Sequence, residues 1–148
     1  MKEIKTAVQE INSEFASNQF PEEFIAQYDQ LECLASHYGR ETFLLQKKNN
    51  GELFVAKCYD LSVFSYSSDI DLSKDLDHKG LPRYVDQFKN EKMLCVVREY
   101  VEGSPVDEYA EDRPLSSREI IDICVQLCDI LSYLHERPQP IIHRDIKP

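Results

Sequence analysis

Apolar residues recur at spacings of four and three through Ile4, Val8, Ile11 and Phe15, which writes one stripe along a helix. Phe20-Pro21-Glu22-Glu23 predicts a second, short helical turn, with proline early and acids near its N-terminus. From about Asp29 the pattern shortens to strand-like runs. Thr42–Gln46 and Leu53–Tyr59 flank Lys47–Glu52, and the Asn50-Gly51 step between apolar runs predicts a hairpin. Tyr84–Phe88 and Met93–Val97 form a second such pair across Lys89–Lys92. Between the hairpins, residues 65–77 are polar, with Ile70, Leu72 and Leu76 as weak helical anchors. After a loop around Gly103-Ser104-Pro105, Ser116 and Glu119 make a capping box. Ile120, Ile123, Cys124, Leu127, Leu131 and Leu134 follow at helical spacing, and Pro138 and Pro140 end the helix.

The predicted class is therefore α+β: antiparallel strands in two hairpins, a small helix between them, and one long helix. Length and composition agree with this. The chain has 148 residues, 42% hydrophobic and 30% charged, enough for one ordinary core. The net charge of -10 comes without a Lys/Arg cluster, which argues against nucleic acid or an anionic membrane as partner. No apolar run approaches a membrane span and no signal-peptide pattern opens the chain. Cys33, Cys58, Cys95, Cys124 and Cys128 are odd in number and lack metal-ligand spacing. They predict buried, reduced thiols in a cytoplasmic protein and no metal site.

The sharpest chemistry lies at Ile141-Ile142-His143-Arg144-Asp145-Ile146-Lys147-Pro148. It resembles the catalytic loop of protein kinases of the Ser/Thr type, with a flavour of the bacterial members. Three further segments resemble the same family in the expected order. Phe54-Val55-Ala56-Lys57 is similar to its β3 strand, Glu99-Tyr100-Val101-Glu102-Gly103 to its hinge, and Tyr133-Leu134-His135 to the end of the helix before the catalytic loop. The resemblance covers roughly Tyr28 to Pro148. It implies ATP and Mg²⁺ as cofactors and a protein substrate. It assigns Asp145 as the base, Lys147 as a phosphate contact, and Lys57 as the contact to the α/β-phosphates. His143 and Arg144 would orient the loop. Val55 and the hinge residues Glu99 and Val101 would border the nucleotide.

The chain departs from the family pattern in three places. Thr42, fifteen residues before Lys57, takes the valine position of the glycine-rich loop, so Ala35, His37 and Arg40 stand where glycines are expected, and Gly39 falls one place early. A side chain there hinders close approach of backbone N–H groups to phosphate. The glutamate that would pair with Lys57 is replaced by Asp69 or Asp71, which equally suit a helix start. Arg98 falls at the back of the adenine pocket, where a charge needs a partner such as Asp69 or solvent. In addition, the metal-binding Asn and the Asp-Phe-Gly segment do not occur in these 148 residues.

The expectation is a Ser/Thr protein kinase whose parent transfers phosphate from ATP to protein, with this chain inactive alone. The alternative is a pseudokinase-like nucleotide-binding or self-assembling module. The parts the resemblance implies are an N-terminal helical extension (1–27), a kinase-like N-lobe (28–101) with a small antiparallel sheet of about five strands and a reduced helix, and the hinge, long helix and start of the catalytic loop (102–148). Exposed apolar positions on the long helix predict self-association, with residues 117–135 docked or swapped between copies.

Overall fold

The computed structural model describes residues 13–64, 74–143 and 146. The stripe residues Ile4, Val8 and Ile11 lie outside them, as do Asp69, Asp71, Arg144, Asp145 and Lys147. The chain divides into two compact units, Met1–Tyr66 with Tyr84–Tyr100, and Ser67–Arg83 with Val101–Pro148.

The first unit is a five-stranded antiparallel sheet in the order β1-β2-β3-β5-β4. Its strands are β1 (Tyr28–His37), β2 (Arg40–Lys47), β3 (Leu53–Asp60), β4 (Tyr84–Lys89) and β5 (Met93–Glu99). Both expected hairpins form. At the β2–β3 turn Gly51 takes φ 75°, a conformation that costs glycine nothing.

One face of the sheet is the core. Phe43 and Leu45 on β2, Ala56 and Cys58 on β3, Phe88 on β4, and Cys95 and Val97 on β5 are buried there. The residues just before the sheet form its lid. A 3₁₀ turn at Ser17–Gln19 leads into the short helix α1 (Glu22–Gln27), which opens with the acids the sequence predicts. Phe20, Phe24 and Tyr28 come from this segment, and Phe24 is 0% exposed. Their rings stack or meet edge-on with one another and with Phe43, Phe54 and Phe88 at centroid distances of 5.7–6.0 Å. Such pairs add about 0.5–1.5 kcal/mol each beyond the area they bury. The side chain of Asn90 donates to the Gln19 carbonyl at 2.9 Å, so the β4–β5 turn also grips the lid.

The second unit carries α2 (Val106–Asp112) and α3 (Ser117–His135). The long helix has the predicted bounds and the predicted cap: Ser116 accepts from the Glu119 N–H while the Glu119 side chain reaches back to Ser116. Helix α2 is not foreseen by the periodicity. It has Pro105 before it and Asp107 and Glu108 in its first turn, a start signal hidden by its short length. Residues 74–83, with Leu76 among them, are turns and extended backbone, not helix. Within this unit His78 stacks on Tyr133 at 5.0 Å and lies 3.3 Å from Asp129. The Tyr133 hydroxyl accepts from the Asp77 N–H at 2.9 Å and from Arg137 at 3.0 Å.

Two expectations about α3 and the thiols separate here. Along α3 only Leu134 is buried, while Ile120, Ile121, Val125 and Leu127 are exposed. All five cysteines are free, but only Cys58 and Cys95 are buried; Cys124 and Cys128 are exposed. The prediction of five buried thiols is corrected accordingly, because the helix face that holds two of them is open. No helix among the described residues is long and apolar enough to cross a membrane.

Candidate functional site

The site is built from the sheet face opposite the core. Residues directly opposite in an antiparallel pair share a face. Lys57 sits on the central strand β3, opposite Thr42 on β2 and Val96 on β5. Val55, two residues earlier, lies opposite Leu44 and Arg98. Tyr59, two residues later, lies opposite Arg40 and Leu94. One face therefore carries Val55, Lys57, Tyr59, Arg40 and Arg98. Lys57 and Arg40 are exposed, while Val55 and Arg98 are half-buried. Burial raises the Tyr59 hydroxyl above its ordinary pKa, and the charges of Arg98 and then Arg40 pull it back down. Both guanidinium groups thus act on the same phenol.

The predicted phosphate-covering loop takes a definite form. Ala35 lies opposite Thr42, Ser36 opposite Glu41 and His37 opposite Arg40, so Tyr38 and Gly39 alone make the turn. Gly39 has φ 69°, which side chains other than glycine adopt at a cost. Its carbonyl accepts from the Asp60 N–H at 2.8 Å. A Cβ at Gly39 would stand 3.0 Å from Val63 and from the Phe64 ring, so the tip lies against the turn that follows β3. Strand residues Arg40, Glu41 and Thr42 are paired on both sides, with β1 and with β3.

Behind the turn, on the core face, Glu41 is 0% exposed. Its carboxylate accepts from the Ser13 hydroxyl at 2.6 Å, the Glu14 N–H at 2.7 Å and the Ser36 hydroxyl at 3.1 Å. No spacing rule singles out this residue, because its donors come from Ser13 and Glu14, far away in the chain.

The remaining candidates fall as follows. Glu99 is the last residue of β5, and Val101 is an exposed residue of the second unit. The catalytic-loop segment is described only at residues 141–143 and 146. Its first residue, Ile141, donates its N–H to the Leu134 carbonyl at 3.0 Å, which ties the segment to the end of α3. Among the described residues no group of three or more His, Cys, Asp or Glu side chains is arranged to hold a metal ion.

With strand order, hairpin register and the Lys57 strand in view, comparison with known proteins gives a consistent result. The model of the protein kinase domain matches residues 38–148, and the chain belongs to that family. Its relatives include the serine/threonine-protein kinase TIO of Arabidopsis thaliana, 33% identical over 89 residues, covering 60% of this chain and 7% of that protein. The serine/threonine-protein kinase tousled-like 2 of Mus musculus is 38% identical over 79 residues, covering 52% of this chain and 11% of that protein. Neither is bacterial. The chain thus spans about a tenth of the length of these relatives. Among solved structures, Rad53 1-466 in complex with AMP-PNP shares the fold, with a TM-score of 0.72 over 83% of this chain and 33% of that one, at 16% identity.

Proposed function

We propose that this chain is part of an ATP-dependent protein kinase acting on Ser or Thr, and that it binds nucleotide on the sheet face that carries Lys57. The observation that carries this reading is the placement of Lys57 in the central strand, flanked on one face by Thr42, Val96 and Val55. The family match and the Ser/Thr kinases among the relatives support it. In this reading Lys57 holds the α/β-phosphates, and Val55 and the backbone of Glu99 and Val101 border the base. Asp69 or Asp71 balances the lysine, while Ala35 and Gly39 lie over the phosphate end. Asp145 accepts the hydroxyl proton of the substrate and Lys147 steadies the phosphate. ATP supplies the group to be transferred and Mg²⁺ neutralises its charge. In the family an Asn and an Asp-Phe-Gly segment hold that metal, and phosphoryl transfer depends on its charge. A cytoplasmic setting agrees with its free thiols.

A second reading is favoured by one observation. Ala35, His37 and Arg40 stand where glycines are expected, which suits a kinase-like module that binds nucleotide or assembles without transfer. The apolar residues open on α3 fit self-association in that case.

Calorimetric titration with ATP and Mg²⁺, with Lys57→Ala as control, tests the main reading. Saturable binding lost in the variant is expected. Absence of binding in the unmodified chain would overturn nucleotide binding by these residues and leave self-association, read by sedimentation, as their function.

A further inference from the structure

The register of the sheet places three cations in a straight diagonal. Arg98 on β5 lies opposite Val55 of β3; Lys57 follows two residues along β3; Arg40 on β2 lies opposite Tyr59, two residues further still. Each step is one strand across and two residues along, about 7–8 Å. All three side chains project from the face opposite the core. In a chain of net charge -10, this is a local concentration of positive charge. Among the described strand residues, the carboxylates that share the face, Asp29 and Glu32, sit on the edge strand opposite Gln46 and Leu44, toward the other end of β2. Asp29 is moreover occupied by Lys48 at 3.5 Å. None of the ion pairs seen among the described residues involves Arg40 or Arg98. Tyr59 lies opposite Arg40, and the charges of both arginines lower the pKa that burial raises on its hydroxyl. An anion laid along this face meets the charges of both arginines and of the lysine between them.

We propose that Arg40 and Arg98 flank Lys57 as an anion-binding row that takes the phosphate chain of a nucleotide through side-chain charge. The row adds side-chain charge at a loop where Ala35, His37 and Arg40 replace the glycines that let backbone N–H groups approach phosphate. Arginine suits it because its planar fork grips phosphate oxygens in pairs. The inference rests on the nucleotide-binding reading above and names the groups that hold the phosphates.

The test separates the two parts of the ligand. Sodium tripolyphosphate and adenosine are titrated in turn into the unmodified chain and into R40Q, R98Q, R40K and R98K, with a thermal melt of each. Saturable tripolyphosphate binding is expected, weakened about tenfold by either glutamine variant, largely restored by lysine, and falling steeply as salt rises from about 50 mM to about 500 mM. Adenosine binding is expected to be unchanged in R40Q and R40K. Tripolyphosphate that fails to bind the unmodified chain overturns the row, as does equal binding by R40Q and R98Q variants that melt normally. Should a glutamine variant not fold, salt-insensitive tripolyphosphate binding by the unmodified chain overturns it as well. In each of these cases retained adenosine binding leaves the nucleotide reading standing, and its loss removes that reading too.

Discussion

The backbone N–H of Asp60 donates to the carbonyl of Gly39 across 2.8 Å, so the turn that ends β3 grips the tip of the β1–β2 hairpin. Val63 and Phe64 close on the same glycine, and Phe64 in turn meets Tyr59 edge-on at 6.0 Å. The hairpin that would reach over phosphates in a kinase is thereby held at its tip, one ring contact away from the phenol opposite Arg40.

That contact makes Gly39 sensitive to substitution. Its φ of 69° costs an L side chain about 1–2 kcal/mol, and an added Cβ meets Val63 at 3.0 Å. Gly39→Ala should lower stability in urea unfolding by about 2 kcal/mol. A variant as stable as the parent would show that the tip is not held as described.

Glu41 should behave as the fastener of the N-terminal lid. Its buried carboxylate collects donors from Ser13, Glu14 and Ser36, and each donor stranded without a partner costs about 1–3 kcal/mol where water is excluded. Glu41→Ala is expected to lose about 2–4 kcal/mol, with Glu41→Gln intermediate. Limited proteolysis should then cut near Ser13 and Phe15 faster than in the parent. Equal cleavage rates in the two would refute the fastening role.

A pH effect follows from the N-terminus of α3. Arg113 donates to Glu119 through both terminal nitrogens, and the Ser116 backbone and hydroxyl add to it. Together these hold the Glu119 carboxyl down at about 2, below an ordinary value of 4.5. A carboxyl depressed in the folded state stabilises it fully above the ordinary value, and that contribution is lost as pH falls through the depressed one. Helicity followed by circular dichroism should therefore decline between about pH 4.5 and 2. Glu119→Gln should flatten that part of the profile. Because both partners are exposed, added salt should shrink the effect; an unchanged profile in the variant would count against it.

Local rules account for what could be read in advance. The bounds of α3 follow from a capping box at Ser116 and prolines at 138 and 140, all of which act within a turn or two of chain. The β2–β3 hairpin follows from Asn50-Gly51, since few residues other than glycine accept that φ. Lys57 was legible as a site residue only through the Phe54-Val55-Ala56-Lys57 wording and its place in an ordered series of segments that resemble the kinase family. Asp145 and Lys147 were legible only through the His-Arg-Asp wording around them, and they lie outside the described residues.

The tertiary structure decided what depends on distant segments meeting. Arg40 and Arg98 are 58 positions apart in the sequence, and only the pairing of β2 and β5 with β3 lines them up beside Lys57. Glu41 reads as an ordinary exposed strand acid until Ser13 and Glu14 close over it. Phe20, Phe24 and Tyr28 read as the edge of an extension until they become the lid of the core. The sequence by itself determined which short stretches are helix or strand, because backbone sterics and side-chain periodicity act over a few residues. Which charges share a face, and which acid is buried, were settled by strand register, a property of pairs of segments that no single segment contains.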